Sequence, residues 1–210
     1  WGSVRDDLLL VGEEGEVVHF DGARFQRVES GTTPRLNGVW GSSARNLVAV
    51  GEGGAIRRFD GSGWQTMESG VTSPLNGVWG TTANEVFAVG DGGVILRYDG
   101  EGWEEMSAGT SADLQEVWGR SSREVYAVGE DGIILHYDGE AWTAMQSNTT
   151  LDLFGISGTS PTNIFAVGTR GRIMRFDGVE WTMPTAPHAT LTNWTAVSVS
   201  PIGDVFVVGA

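Results

Sequence analysis

Neither cysteine nor lysine occurs anywhere in this chain. The first absence excludes a disulfide framework and any thiolate metal site. The second leaves all 13 basic residues as arginine and excludes a phosphate-cradling Gly-Lys-Ser/Thr loop. Positive charge is scarce as a whole: the formal net charge is −14, spread along the chain rather than gathered in a tail. Such a surface repels phosphate backbones and anionic lipid, which argues against nucleic-acid and membrane-surface partners. Long apolar runs are missing too. Stretches such as Leu8–Val11 and Val205–Val208 fall far short of a bilayer span, so no membrane insertion is expected. The chain starts at Trp1 without a methionine, a basic stretch or an apolar leader, and is expected to be a piece of a longer protein.

What is abundant is glycine, at 32 of 210 residues, and it recurs on a period of 39. Trp1, Trp40, Trp79 and Trp118 each open a Trp-Gly pair. An aromatic-Asp-Gly follows at Phe20-Asp21-Gly22, Phe59-Asp60-Gly61, Tyr98-Asp99-Gly100, Tyr137-Asp138-Gly139 and Phe176-Asp177-Gly178. Four residues beyond each of these Asp stands Phe25, Trp64, Trp103, Trp142 or Trp181. A fixed period of this size signals one supersecondary unit repeated.

Residues 36–74 show the unit. Leu36 to Trp40 reads as a short strand, Gly41 to Arg45 as its turn, and Asn46 to Val50 as an almost wholly apolar strand covered on both faces. Gly51-Glu52-Gly53-Gly54 supplies a tight hairpin into a third strand, Ala55 to Phe59. Asp60-Gly61 turns that strand, the Asp capping the turn backbone, into a fourth strand, Trp64 to Met67. Four antiparallel strands in about 40 residues, with no helical periodicity, describe one propeller blade. The fold class is therefore all-β, a β-propeller of four-stranded antiparallel blades. Eight of the nine tryptophans sit at two repeat positions, as expected for rings wedged between neighbouring blades, and Trp194 is the exception.

The run from Trp79 to Trp103 resembles the blade repeat of secreted or surface-attached bacterial β-propellers. It is similar, more distantly, to Asp-box and WD40 propellers. It departs from the Asp-box in lacking the leading Ser and placing its aromatic one residue early, and from WD40 in lacking the Gly-His to Trp-Asp pairing. The resemblance covers the whole chain and implies a propeller, with function open because propellers host many activities.

The repeats divide as 1–35, 36–74, 75–113, 114–152, 153–192 and a partial 193–210, one propeller domain throughout. Three strands are expected in the first repeat, four in each of the next four and two in the last. A closed five-bladed ring, completed by a strand around Val197, would leave Asp204 to Gly209 without a place. A parent ring of six or seven blades is expected.

Three polar sets recur. His19, Arg58, Arg97, His136 and Arg175 stand two residues before the turn Asp and are expected to satisfy carboxylates and carbonyls between blades. A metal ring there would rest on only two histidines, three blades apart. The turn residues Asp21, Asp60, Asp99, Asp138 and Asp177 read as turn caps, because catalytic carboxylates must converge on one bond. Glu13, Glu52, Asp91 and Glu130 open the hairpin after each Val-Gly, with Glu14 and Asp131 adding charge, until Thr169, Arg170 and Arg172 break the rule. These hairpins and the Ser/Thr-rich links lie on the face where the copies differ most, including Pro184 to Thr192 with His188. That face is the candidate binding face. Calcium would need six to eight clustered oxygens, more than one or two acids per turn supply. Glu116 replaces the glycine found at Gly38, Gly77 and Gly155 and would project toward a central channel, either solvated or touching a ligand.

The candidate ligand-binding residues are therefore Glu52, Asp91, Glu130, Arg170, His188 and Glu116, with no catalytic residue, metal or cofactor expected. The expected function is non-enzymatic and extracellular, secreted or at the cell surface, with the periplasm as a variant. The ligand would be a glycan or protein engaged by several similar loops and hence multivalently. The alternatives are a structural part of a larger surface assembly and an enzyme whose active groups lie in blades beyond this sequence.

Overall fold

The computed structural model describes residues 1–4, 7–184 and 192–210. Each repeat folds into its own antiparallel sheet, paired in sequence order. Blade two comprises Leu36–Ser43, Asn46–Gly51, Ile56–Phe59 and Trp64–Met67. Blade three comprises Leu75–Thr82, Glu85–Gly90, Ile95–Tyr98 and Trp103–Met106. Blade four runs Leu114–Ser121, Glu124–Gly129, Ile134–Tyr137 and Trp142–Ala144, and blade five Leu153–Ser160, Asn163–Gly168, Ile173–Phe176 and Trp181–Thr182. Trp194–Val199 pairs with Val205–Gly209 as a two-stranded sheet of its own.

Two boundaries differ from the sequence expectation. Blade one has four strands rather than three, because Gly2–Val4 pairs with Asp7–Val11 ahead of Val17–Phe20 and Phe25–Val28. The first strand of a blade also runs through the Trp-Gly to Ser43, past the turn expected at Gly41. A register shift between Gly41 and Ser43 lets the pairing continue as far as Asn46.

The chain forms two compact units, Trp1–Met106 and Ser107–Ala210. Within each, the core lies between blades. Strand alternation sends successive residues of a second strand to opposite faces. In blade two, Leu47 and Ala49 join Leu9, Val17 and Leu36 in a cluster with blade one. Val48 and Val50 join Leu75, Val86, Ala88 and Leu96 in a cluster with blade three. In the second unit Tyr126 and Val128 of blade four meet Ile164, Ala166, Met174 and Trp181 of blade five. A strand buried on both faces reads as a continuous apolar run, as the sequence does.

The Trp-Gly pair has a reciprocal logic. A Cβ added to Gly80 would sit 2.9 Å from the ring of Trp40, one blade earlier. A Cβ on Gly41 would likewise lie 3.0 Å from the Trp1 ring, and one on Gly158 2.9 Å from that of Trp118. The tryptophan of one copy occupies the space that the glycine of the next leaves open. The second aromatic pair closes the outer hairpin. Phe59 and Trp64 are directly cross-strand partners with ring centroids 5.5 Å apart, and Tyr98–Trp103, Tyr137–Trp142 and Phe176–Trp181 repeat the contact at 5.3–5.4 Å.

The hairpin after Val-Gly is a single 3-10 turn, Glu52–Gly54 in blade two. Gly53 and Gly54 both have left-handed φ, +65° and +72°, but only at Gly54 does a neighbour fill the Cβ position, the Val71 carbonyl oxygen at 2.2 Å. Gly53→Ala is therefore expected to cost about 1 kcal/mol, for backbone conformation alone. Gly54→Ala is expected to cost about 3 kcal/mol or more, the difference being the close approach of the link. Urea unfolding of the two variants checks this.

Candidate functional site

The Asp-Gly turns are built from their own side chains. Asp60 Oδ1 accepts the backbone N–H of Ser62 at 2.8 Å and of Gly63 at 3.2 Å. Asp21, Asp99, Asp138 and Asp177 accept the equivalent pair of N–H groups. These bonds hold all five carboxyls below the ordinary aspartate range, and at Asp60 the Ser62 hydroxyl is the largest cause. Each carboxylate is committed to its own turn.

The basic set works largely inside its own blade, where the sequence suggested contacts between blades. The partner stands at the start of the second strand. His19 Nε2 meets Asp7 at 2.6 Å, Arg97 meets Glu85 at 2.6 and 2.9 Å, and Arg175 Nε donates to Asn163 at 3.4 Å. His136 stacks on Tyr126 at 4.7 Å. Arg58 crosses to the next blade, donating to the hydroxyl of Tyr98 in blade three at 2.8 Å with its guanidinium over that ring. Among the described residues no group of three or more acids and histidines is placed to hold a metal ion.

The other rim is different. The backbone N–H of Glu52, Asp91, Glu130 and Thr169 each donates to the incoming link, at the carbonyls of Arg35, Pro74, Asp113 and Asp152. This fixes the turn and leaves the side chain at the surface. Glu13, Glu52 and Glu130 are exposed, and Arg170 is exposed where the acidic pattern ends. Asp91 is half-buried and accepts from Asn76 at 2.8 Å, while Glu13 lies 3.4 Å from Arg35. In the first unit this rim therefore carries Glu13, Glu52 and Asp91, and in the second Glu130 and Asp131 followed by Arg170. His188 lies outside the described residues.

Glu116 is half-buried rather than solvated in a channel. At the same register a Cβ on Gly38 would face Asn76 and Val78 of the following blade, and one on Gly155 would lie 3.0 Å from Ala196. The position points between innermost strands. Desolvation there pushes the Glu116 carboxyl up to about 7, against a single hydrogen bond from the Val117 N–H.

Sequence reasoning missed Arg57. It is 6 % exposed, in a third-strand position that holds Val18, Leu96, Leu135 and Met174 in the other blades. One charged residue where every other copy is apolar was the available signal. A cavity of about 280 Å³ between blades one and two was equally unforeseen. It is lined by Asp7, His19, Val28, Phe59 and Trp64. In the next copy these positions hold the bulkier Arg58, Met67 and Tyr98 in place of His19, Val28 and Phe59.

No protein-family model matches this chain, and no curated protein matches it in sequence. Solved structures do match, and they define its class as a β-propeller of four-stranded blades. "YCF48 bound to D1 peptide" superposes with a TM-score of 0.77 at 16 % identity, over 97 % of this chain and 71 % of that one. "YCF48 from Cyanidioschyzon merolae" gives 0.73 at 14 % identity, over 98 % and 74 %. At such identities the likeness is one of fold.

Glu116 gives a pH prediction with a definite sign. Its folded pKa is raised above the unfolded value of 4.5, so the folded state binds the extra proton. Stability from this group is full below pH 4.5, declines as pH rises to about 7, and is flat above. Glu116→Gln is expected to remove that decline and to stabilise the protein at pH 8 by about 1–3 kcal/mol, partial exposure reducing the full shift. Urea titrations between pH 4 and 8 read both.

Proposed function

We propose that this chain is a non-enzymatic recognition propeller whose ligand is a polypeptide with a basic surface. The observation that carries the reading is the acidic rim. The backbone N–H groups of Glu52, Asp91 and Glu130 are consumed in holding the links, and the side chains of Glu13, Glu52 and Glu130 are exposed. The net charge of −14 adds long-range attraction for a cationic partner. Similar turns in successive blades suit a partner that touches several at once. A propeller of the same fold, described as bound to D1 peptide, gives a precedent for peptide binding by a protein of this fold.

Glycan recognition has less behind it. Sugar-stacking surfaces need exposed aromatic faces, whereas Trp142 and Trp181 are buried and Trp40, Trp64 and Trp103 pack against the clusters between blades. Catalysis likewise lacks a convergent set of groups among the described residues, since the turn carboxylates are each engaged locally. The resemblance of the repeat to surface propellers supports a secreted, cell-surface or periplasmic setting. A second reading, a component packed into a larger assembly, draws on exposed apolar side chains. Leu10 and Phe25 stand out in the first unit, at 51 % and 62 %, and Phe206 and Val208 in the second.

The test is direct binding of basic, neutral and acidic peptides, alongside a glycan array. Basic peptides are expected to bind and to weaken as salt is added. Glu52→Gln with Asp91→Asn should lower affinity about 3–10-fold at low ionic strength. Binding confined to glycans, or unchanged in the double variant, would refute the reading.

A further inference from the structure

Arg57 is the buried charge that the fold does not explain. Its side chain lies on the third strand of blade two, where the repeat otherwise places valine, leucine or methionine. Only 6 % of it is exposed. Among the described residues no carboxylate forms an ion pair with it, although the chain has 27 acidic residues. Its partners are neutral: Nη1 donates to the Thr66 hydroxyl, and Nη2 to the Trp64 carbonyl at 3.0 Å. Nε is buried with no acceptor. A guanidinium offers five N–H donors, so two bonds leave it under-satisfied. Desolvation is the one cause that moves its pKa, and it moves it down, the sign of a cation buried without a counter-charge.

The surroundings have the chemistry to supply one. Arg57 lines a cavity of about 320 Å³ on the hairpin rim, together with Thr32, Thr66, Thr72 and the glycine-rich backbone at Gly53-Gly54 and Gly70. Hydroxyls and close-approaching main chain are what a small oxyanion uses beside an arginine fork. Ser69 is already bonded to the Val71 backbone and serves the link instead. Glu68 also borders the cavity, and it is exposed. A residue that costs stability when unpaired gains a reason when a ligand completes it.

We propose that this cavity binds a small oxyanion, phosphate, sulfate or a carboxylate, against the Arg57 guanidinium. The site borders the Glu52–Gly54 turn but differs in charge from it, and its recognising side chain, Arg57, is not among the acids that carry the polypeptide reading. Failure of either leaves the other standing.

The repeat itself provides the test variant. Arg57→Leu installs the residue that blades three and four carry at this position, at Leu96 and Leu135, and should fold normally. Thermal unfolding is followed in sodium phosphate, sulfate and acetate, each against sodium chloride at matched ionic strength. A fourth arm uses one short peptide with a free or an amidated C-terminus. In the natural chain at least one oxyanion should raise Tm saturably, by about 5–10 °C at roughly 100 times its Kd. In Arg57→Leu that rise should vanish while Tm in chloride stays level or increases. Phosphate or sulfate acting alone would assign the site to an inorganic or ester oxyanion. Acetate and the free-carboxylate peptide acting alone would assign it to a carboxylate. An equal rise in chloride, an equal rise in Arg57→Leu, or no rise with any oxyanion would overturn the proposal.

Discussion

The contact on which the blades depend is the seating of one copy's tryptophan on the next copy's glycine. Trp40 covers Gly80, and Trp118 covers Gly158, at a distance that no side chain on the glycine would allow. The pairing explains why the two residues stay adjacent in sequence. Trp40-Gly41 is both the plug for one neighbour, at Gly80, and the socket for the other, under Trp1. With this contact comes the alternation of the second strand, which sends Leu47 and Ala49 one way and Val48 and Val50 the other. A blade packed on both sides, as blade two is, shares its stability with its neighbours.

That constraint settles where chemistry can reside. Second-strand positions are spent largely on packing, and the repeated acids collect at the hairpins and at the Asp-Gly turns. One rim turns its side chains inward on itself, as Asp60 does with Ser62 and Gly63. The other uses backbone groups to hold the link, and the side chains of Glu13, Glu52 and Glu130 are exposed there. The same repeat therefore yields one closed rim and one open rim. Glu116 and Arg57 are the departures: charged residues placed where the other copies hold glycine or an apolar side chain. Both are desolvated, in opposite senses, so that Glu116 holds its proton more tightly and Arg57 less.

The fold was legible because its signals are local and repeated five times. The Asp-Gly turn, the paired aromatics Phe59 and Trp64, and the left-handed glycines of the hairpin are each settled within a few residues. What escaped was of two kinds. Gly2–Val4 as a strand, and pairing through to Ser43, depend on register shifts that leave no mark in composition. The partners of the basic set depend on which side chain stands opposite across the sheet. His19 finds Asp7 and Arg97 finds Glu85, each twelve residues earlier, and a reading of one strand at a time does not pair them. Arg57 was visible as a break in the repeat, but its burial and lack of a counter-charge required the neighbouring link to be in place.

The absence of lysine makes one measurement unusually direct. Zero-length carbodiimide coupling joins carboxylates to primary amines, so coupling between this chain and a bound polypeptide links its acids to the partner's amines, the chain's own α-amino terminus being its single alternative amine. Mass spectrometry of the coupled product reads the positions. If the acidic hairpins hold the partner, the links fall at Glu13, Glu52 and Asp91 in the first unit or at Glu130 in the second. Links concentrated at Asp21, Asp60, Asp99, Asp138 and Asp177 would place the partner on the opposite rim and contradict the account.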